Sequence, residues 1–404
     1  MGHLVFEGLK VLDFTWVAAG PILTQSLADH GAMVVRVESA TRPDILRMAP
    51  PYKDKKAGID RSGYFARFNT DKYGVSLNLN HPRAGSVVRR LVDWCDVAVE
   101  NFTPGSMKHW GWNYQELRKL KPDIIMLSTS NQGQTGPHSH HPGHGGILTS
   151  LAGFSHLTGW EDQEPCQPFG ALTDFITPLL GTIALIGALE FRRRTGEGQY
   201  LDLSQYESSL LTLTPVMLDW FANGHEATRM GNRSPYTAPH GAYPCQGEDK
   251  WCVVAVETEA EWQALCHALG QPSLADDPRF SSLERRMQNQ DALDRIIAGW
   301  TSQRTHQEAM DTLQKLGVPA GAVLDPSDLL EDPHLKQRGH FHAMEHPEIG
   351  LQHYENPPFQ LSRTPAELRM PSPCVGQHNE YIYREILGIP DEEFVELLVE
   401  GALE

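Results

Sequence analysis

The sequence predicts an α/β protein in which a doubly wound, mostly parallel sheet forms a large domain and a smaller α+β domain accompanies it. Two observations carry this. Between residues 9 and 128 short β-branched runs alternate with helical patterns, the rhythm of consecutive βαβ units. The 404 residues also exceed what one hydrophobic core usually serves, so two or three domains are expected.

The first unit is the clearest. Residues 9–14 (Leu-Lys-Val-Leu-Asp-Phe) read as a strand, Ala18, Ala19, Gly20 and Pro21 turn the chain into an apolar helix ending at Asp29, and a second strand spans residues 33–38. Pro21 suits the first helical turn, where its missing N–H goes unneeded, and Gly31 suits the helix end. A helix over 82–94, a strand over 97–100, a helix over 114–120 and a strand over 124–128 extend the pattern into a Rossmann-like sheet. Residues 133–146 then form a Gly, Pro and His loop, followed by an apolar helix over 175–194, a strand over 200–203 and a helix over 205–222. Residues 224–239 are rich in turn formers. Beyond them, strands over 241–244 and 251–256 and two helices opened by capping boxes, Thr258 with Glu261 and Thr305 with Glu308, make the small α+β domain. A proline-rich stretch precedes two terminal helices, over 378–387 and 391–400.

Lys and Arg total 34 against 51 Asp and Glu, a formal net charge of −17. Such a surface repels phosphate backbones and anionic lipid, so no nucleic-acid or membrane partner is expected. The longest uncharged apolar stretch, residues 175–189, has 15 residues and contains Pro178. A membrane span needs about 20. The N-terminus lacks the basic start and apolar run of a signal peptide. Six cysteines with no CxxC pair point to reduced thiols, and a cytoplasmic protein is expected.

Three features invite a chemical reading. Glu38 ends the second strand, where dinucleotide-binding domains keep a ribose-binding acid, but only Gly20 stands in the preceding turn and the three spaced glycines are missing. No nicotinamide or flavin site is therefore expected. His138, His140, His141 and His144 fall within seven residues without helical spacing or a paired carboxylate, so the loop reads as a polar surface and no metal is expected. Asp174 precedes the long apolar helix. Locally it reads as an N-cap, and the same position would also hold a functional carboxylate as the anion.

The run over residues 11–21 (Val-Leu-Asp-Phe-Thr-Trp-Val-Ala-Ala-Gly-Pro), Val97-Ala-Val-Glu-Asn-Phe-Thr-Pro-Gly105, Gly133-Gln-Thr-Gly-Pro137, Asp174, Arg194-Thr-Gly-Glu-Gly-Gln199 and Asp202-Leu-Ser-Gln-Tyr-Glu207 occur in this order. With these motifs the chain resembles the class III CoA-transferases, the family of formyl-CoA transferase and carnitine CoA-transferase that also holds the α-methylacyl-CoA racemases. The resemblance spans nearly the whole chain. It implies a large CoA-binding domain from residues 1–223 and a return segment, 326–404, with a small domain, 224–325, between them, and an interlocked dimer, either of one chain or with a homologous subunit.

The resemblance also implies a chemistry. Asp174 matches the family's catalytic aspartate, and Val17, Ala18, Asn101 and Phe102 match positions lining the CoA site. CoA would pass from an acyl-CoA donor such as succinyl-CoA to a carboxylic acid through an aspartyl anhydride and an aspartyl-CoA thioester, with coenzyme A as substrate and no metal. Gly143, Gly145 and Gly146 are candidate oxyanion donors. Arg36, Arg42 and Lys72 are candidates for the CoA phosphates. Trp16, Trp110 and Trp112 suggest a bulky or aromatic acceptor such as benzylsuccinate. The chain departs from formyl-CoA transferase at His109-Trp110, at residues 128–131 and in the small domain's missing glycine-rich loop, so small-acid specificity is not carried over. Two alternatives stay open: a racemase using His144 and Asp174 as two bases, and a non-catalytic or half-active subunit of a heteromeric transferase.

Overall fold

The computed structural model describes residues 4–404. Six strands, β1 (Lys10–Asp13), β2 (Met33–Glu38), β3 (Lys72–Ser76), β4 (Val97–Glu100), β5 (Ile125–Ser130) and β6 (Tyr200–Ser204), form one sheet in the order β3-β2-β1-β4-β5-β6. Every neighbouring pair is parallel. The order reverses between β1 and β4, and it is at the carboxyl ends of such a reversal that doubly wound sheets open a crevice.

Strand alternation sorts the core into two layers. Leu12, Val35, Ala98 and Met126 face the Ala84–Trp94 helix and the C-terminal elements, burying Val88, Leu91, Tyr383 and Leu397. Their neighbours Val11, Val34, Val97 and Ile125 face the other way, onto Leu23 and Leu27 of the Ala19–Ala28 helix and Leu185 and Ala188 of the Thr173–Thr195 helix.

β3 has no counterpart in the sequence reading, because Lys-Tyr-Gly-Val-Ser opens on a charge and carries a glycine. Lys72 is fully buried there, its ammonium within 3.1 Å of Asp13 Oδ2, 2.9 Å of the Pro21 carbonyl and 3.0 Å of Asn69 Oδ1. Gly74 lets the return segment approach, since a Cβ at that position would stand 2.8 Å from Pro373. The Ser76 N–H donates to Asn379 Oδ1 at 2.8 Å and the Asn78 N–H to the Ala402 carbonyl at 2.9 Å, so residues 373–404 close over this edge of the sheet. The last segment holds a π-helix, Glu380–Ile386, and an α-helix, Asp391–Val399.

The chain forms two compact units. One comprises residues up to Ser155 with Gln167–Glu226 and Gln337–Glu404; the other comprises His156–Cys166 and Ala227–Lys336. The second contains an antiparallel sheet of β7 (His240–Pro244), β8 (Trp251–Ala255) and β9 (Ala320–Ala322). Both capping boxes form. Lys250 reaches Asp325 at 2.6 Å and Asp328 at 2.7 Å, which ties the Pro326–Glu331 helix to this unit. An unanticipated hairpin, β10 (Phe341–His346) with β11 (Gly350–Glu355), belongs to the first unit.

Two helices differ from the sequence reading. The helix expected over 205–222 is interrupted, as Gln205–Leu210 and Thr214–Asn223, with Pro215 at the start of the second piece, where it lacks the N–H a continuous helix needs. The Thr173–Thr195 helix has 23 residues, longer than its apolar stretch, and by length and composition alone it would suffice to cross a membrane. One side carries Leu185 and Ala188 into the core, while Leu179, Ile183 and Ile186 stand exposed.

The Asp13–Lys72 pair yields a test. Lys72→Met strands a carboxylate that water cannot reach, which is expected to cost about 3–5 kcal/mol of stability in urea unfolding. Adding Asp13→Asn to Lys72→Met removes the stranded charge and is expected to recover part of that loss.

Candidate active site

The turn after β1 is clamped by buried polar groups. Asp13 accepts from the Thr15 N–H at 2.8 Å and hydroxyl at 2.5 Å, and from the Thr24 hydroxyl at 2.7 Å. Arg36 donates to the Thr15 carbonyl at 2.7 Å and to Asp44 at 2.6 Å, and the same Asp44 oxygen accepts the Val17 N–H at 2.9 Å. Asn101, at the end of β4, brackets Trp16 by accepting its N–H and donating to its carbonyl, both at 2.8 Å. Val17 is thereby held at φ 67°, a conformation that a β-branched residue adopts only under such constraint.

On one side of this turn lies a cleft of about 230 Å³ lined by Trp16, Glu38, Arg42, Asn80, Phe102 and Trp110. Phe102 packs edge-on between Trp16 (5.8 Å between ring centres) and Trp110 (5.3 Å). On the other side Val17 and Ala18 join an apolar cluster with Phe65, Phe68 and Phe175. Phe175 is the neighbour of Asp174, so the turn reaches from the cleft to the residue beside that carboxylate.

Asp174 does not cap its helix. Leu172 occupies the cap position without a side-chain cap bond, and Asp174 lies inside the first turn. Gln205 Nε2 donates instead to Asp174 Oδ1. No protein group donates to Oδ2 among the described residues. Gly145 presses against the same carboxylate: a Cβ there would stand 2.5 Å from Asp174 Cγ and Oδ2 and closer still to Oδ1. Asp174 is 9% exposed. Burial pushes its carboxyl up to about 6, while the Gln205 hydrogen bond and the nearby His144 pull it back. His144 is itself exposed and sits beside Gly146, whose missing Cβ would meet the imidazole at 3.2 Å. Gly143 lies further out on the exposed loop, next to Asn131.

The structure therefore unites Val17, Ala18, Asn101 and Phe102 around the turn, Arg42 at the cleft, and His144, Gly145 and Gly146 with Asp174. It removes Lys72 and Arg36 from the phosphate candidates. Both are 0% exposed and held by Asp13, Asn69, Asp44 and backbone carbonyls, so neither is accessible to a ligand. Glu38 is gripped by Arg47 at 2.8 and 3.0 Å and is not free for a ribose. Trp112 packs against the sheet core and does not line the cleft. Sequence reasoning missed Gln205 and Tyr64, whose phenol is pushed up by burial and by the Asp174 carboxylate. Gln205 follows β6 directly, a position that marks it in hindsight, since residues just past a parallel strand end face the crevice. Among the described residues no three His, Cys, Asp or Glu side chains converge to hold a metal ion.

Comparison with known proteins now bears on the site. The family model described as CoA-transferase family III matches residues 6–379. A succinyl-CoA–D-citramalate CoA-transferase of Chloroflexus aurantiacus is 32% identical over 391 residues, 97% of this chain and 96% of that one. The β subunit of a succinyl-CoA–L-malate CoA-transferase from the same organism is 30% identical over 98% of this chain and 97% of its own. A solved CAIB/BAIF family protein from Brucella suis superposes with a TM-score of 0.87 at 30% identity, covering 95% of this chain and 100% of that one.

The close approach of Gly145 to Asp174 generates a prediction. Gly145→Ala is expected to displace the carboxylate from Gln205 and to lower acyl-CoA turnover by about 100-fold, the scale of a misplacement near 1 Å. Thermal unfolding of this variant is expected to come earlier than that of the parent protein, because a Cβ forced against a buried carboxylate costs about 1–3 kcal/mol.

Proposed function

This chain belongs to CoA-transferase family III, and from that membership we propose that it moves CoA from succinyl-CoA to a short dicarboxylic acid through covalent intermediates on Asp174. The observation that carries the proposal is a mostly buried carboxylate packed against a glycine backbone, with one oxygen hydrogen-bonded and the other without a donor among the described residues. A carboxylate is a weak nucleophile in water. Stripped of its hydration shell and held at near-attack distance from a thioester, it becomes competent.

In the proposed sequence an Asp174 oxygen attacks the donor's thioester carbonyl and the C–S bond breaks, giving a mixed anhydride and CoA thiolate. The thiolate then attacks the aspartyl carbonyl, and the donor acid leaves as its carboxylate. An acceptor carboxylate runs the two steps in reverse and regenerates the aspartate. Backbone N–H groups of Gly145 and Gly146 are suited to the oxyanions. With the carboxyl near 6, Asp174 is mostly ionised at neutral pH, as a nucleophile must be. The CoA nucleotide is assigned to the aromatic cleft, with Arg42 for a phosphate.

The tryptophans that suggested a bulky acceptor stand elsewhere: Trp16 and Trp110 form the wall of that cleft, and Trp112 packs in the core. They give no reason for a benzylsuccinate-sized acid. The named activities of the two relatives, on citramalate and on malate, support a short dicarboxylate instead. A dimer, of this chain alone or with a homologous subunit, finds support in the exposed Leu179, Ile183 and Ile186 and in the subunit status of one relative.

Asp174→Ala is expected to abolish transfer while CoA still binds. Hydroxylamine added after acyl-CoA should convert Asp174 of the parent protein to a hydroxamate; exchange of the substrate's α-proton without such an adduct would mean a racemase acting through His144 and Asp174. Assayed with succinyl-CoA, citramalate, malate and glutarate are expected to accept CoA faster than benzylsuccinate.

A further inference from the structure

We propose that Gln205 supplies the hydrogen-bond donor that selects which Asp174 oxygen attacks and then stabilises the aspartyl carbonyl while CoA is exchanged on it. The proposal rests on Asp174 being the nucleophile. Its own basis is the geometry around the Gln205 amide. Gln205 is 6% exposed and is the first residue of the helix that follows β6, so its backbone is fixed by the sheet. Nε2 donates to Asp174 Oδ1 and lies 3.3 Å from Thr173 Oγ1. Thr173 Oγ1 donates in turn to the Gly145 carbonyl at 3.2 Å. That hydroxyl has one proton, already committed to Gly145, so it must accept from Gln205. The amide orientation follows: a reversed Gln205 would set its own oxygen against the carboxylate.

One amide thus joins the three parts of the site: Asp174, the residue before it and the Gly145 backbone. Oδ1 is occupied by the Gln205 N–H, which leaves Oδ2 to attack the thioester carbonyl as the C–S bond breaks and CoA departs with the electron pair. When the CoA thiolate adds to Cγ, the negative charge falls on Oδ1, where the donor already waits. The Cγ–Oδ2 bond then breaks, and Oδ2 leaves with the donor acid as its carboxylate. Oδ1 carries charge in the free carboxylate and in each tetrahedral intermediate at Cγ, and is a neutral carbonyl oxygen in the anhydride and in the thioester. A donor fixed on Oδ1 therefore favours passage out of both covalent intermediates, the kind of preorganised electrostatic help that mutagenesis in other enzymes values at about 100-fold or more.

Three variants test this in the full-length protein with succinyl-CoA as donor. Gln205→Leu keeps the bulk and removes the donor; kcat is expected to fall about 100-fold with the KM for succinyl-CoA little changed. Because the Gln205 bond holds the Asp174 carboxyl down, its loss should also move the acid limb of the kcat profile to higher pH. Gln205→Glu, nearly isosteric, donates only when protonated, so its residual activity should decline as pH rises where that of the parent protein climbs. A parent-like rate and acid limb in Gln205→Leu would overturn the proposal. Should Gln205→Leu fail to fold or to bind CoA, Gln205→Glu decides, and a parent-like pH profile in that variant would overturn it equally. Asp174→Ala separates the two readings: residual transfer there removes Asp174 as nucleophile, whereas its inactivity beside a fully active Gln205→Leu removes only the role of Gln205.

Discussion

Charges that water cannot reach hold the turn after β1, and the functional end of the sheet depends on them. Asp13 is compensated by Lys72 from β3, and Asp44 by Arg36 from β2. Ions in such surroundings persist only when each is paired and hydrogen-bonded, so these four residues fix one another's positions within narrow limits. Thr15, Trp16 and Val17 inherit that rigidity through direct bonds to Asp13, Asn101 and Asp44. A turn that packs on an aromatic cleft with one residue and on the neighbour of Asp174 with the next could not do both if it were mobile.

The second constraint is steric. Gly145 and Asp174 approach so closely that nothing larger than hydrogen fits on the Gly145 Cα. The carboxylate is enclosed by backbone and by the Gln205 amide, and burial raises its proton affinity. In the proposed mechanism the same enclosure that makes ionisation costly would make the anion more reactive toward a thioester.

The sheet was legible from alternation alone, because five of its six strands carry apolar residues on both faces. β3 was not, since the burial of Lys72 becomes intelligible only once Asp13 is known to lie beside it, 59 residues away in sequence. For the same reason Arg36 and Lys72 read as phosphate ligands: their sign is visible in the sequence and their partners are not. Asp174 was found through the order of several motifs, while its local pattern suggested a cap. Gln205 carried no signal of its own, because its meaning depends on where β6 delivers it. Long-range pairing is what the one-dimensional patterns omit.

The cysteines acquire a meaning beyond their reduced state. The larger unit holds two, Cys95 and Cys374, and burial pushes their thiols up to about 12 and about 11. Both therefore remain protonated, and a thiol is far less nucleophilic than a thiolate. An activated aspartyl carbonyl is open to any sulfur anion that can reach it. Under the proposed mechanism neither Cys95 nor Cys374 would compete with the CoA thiolate for that carbonyl, and both thiols would escape acylation.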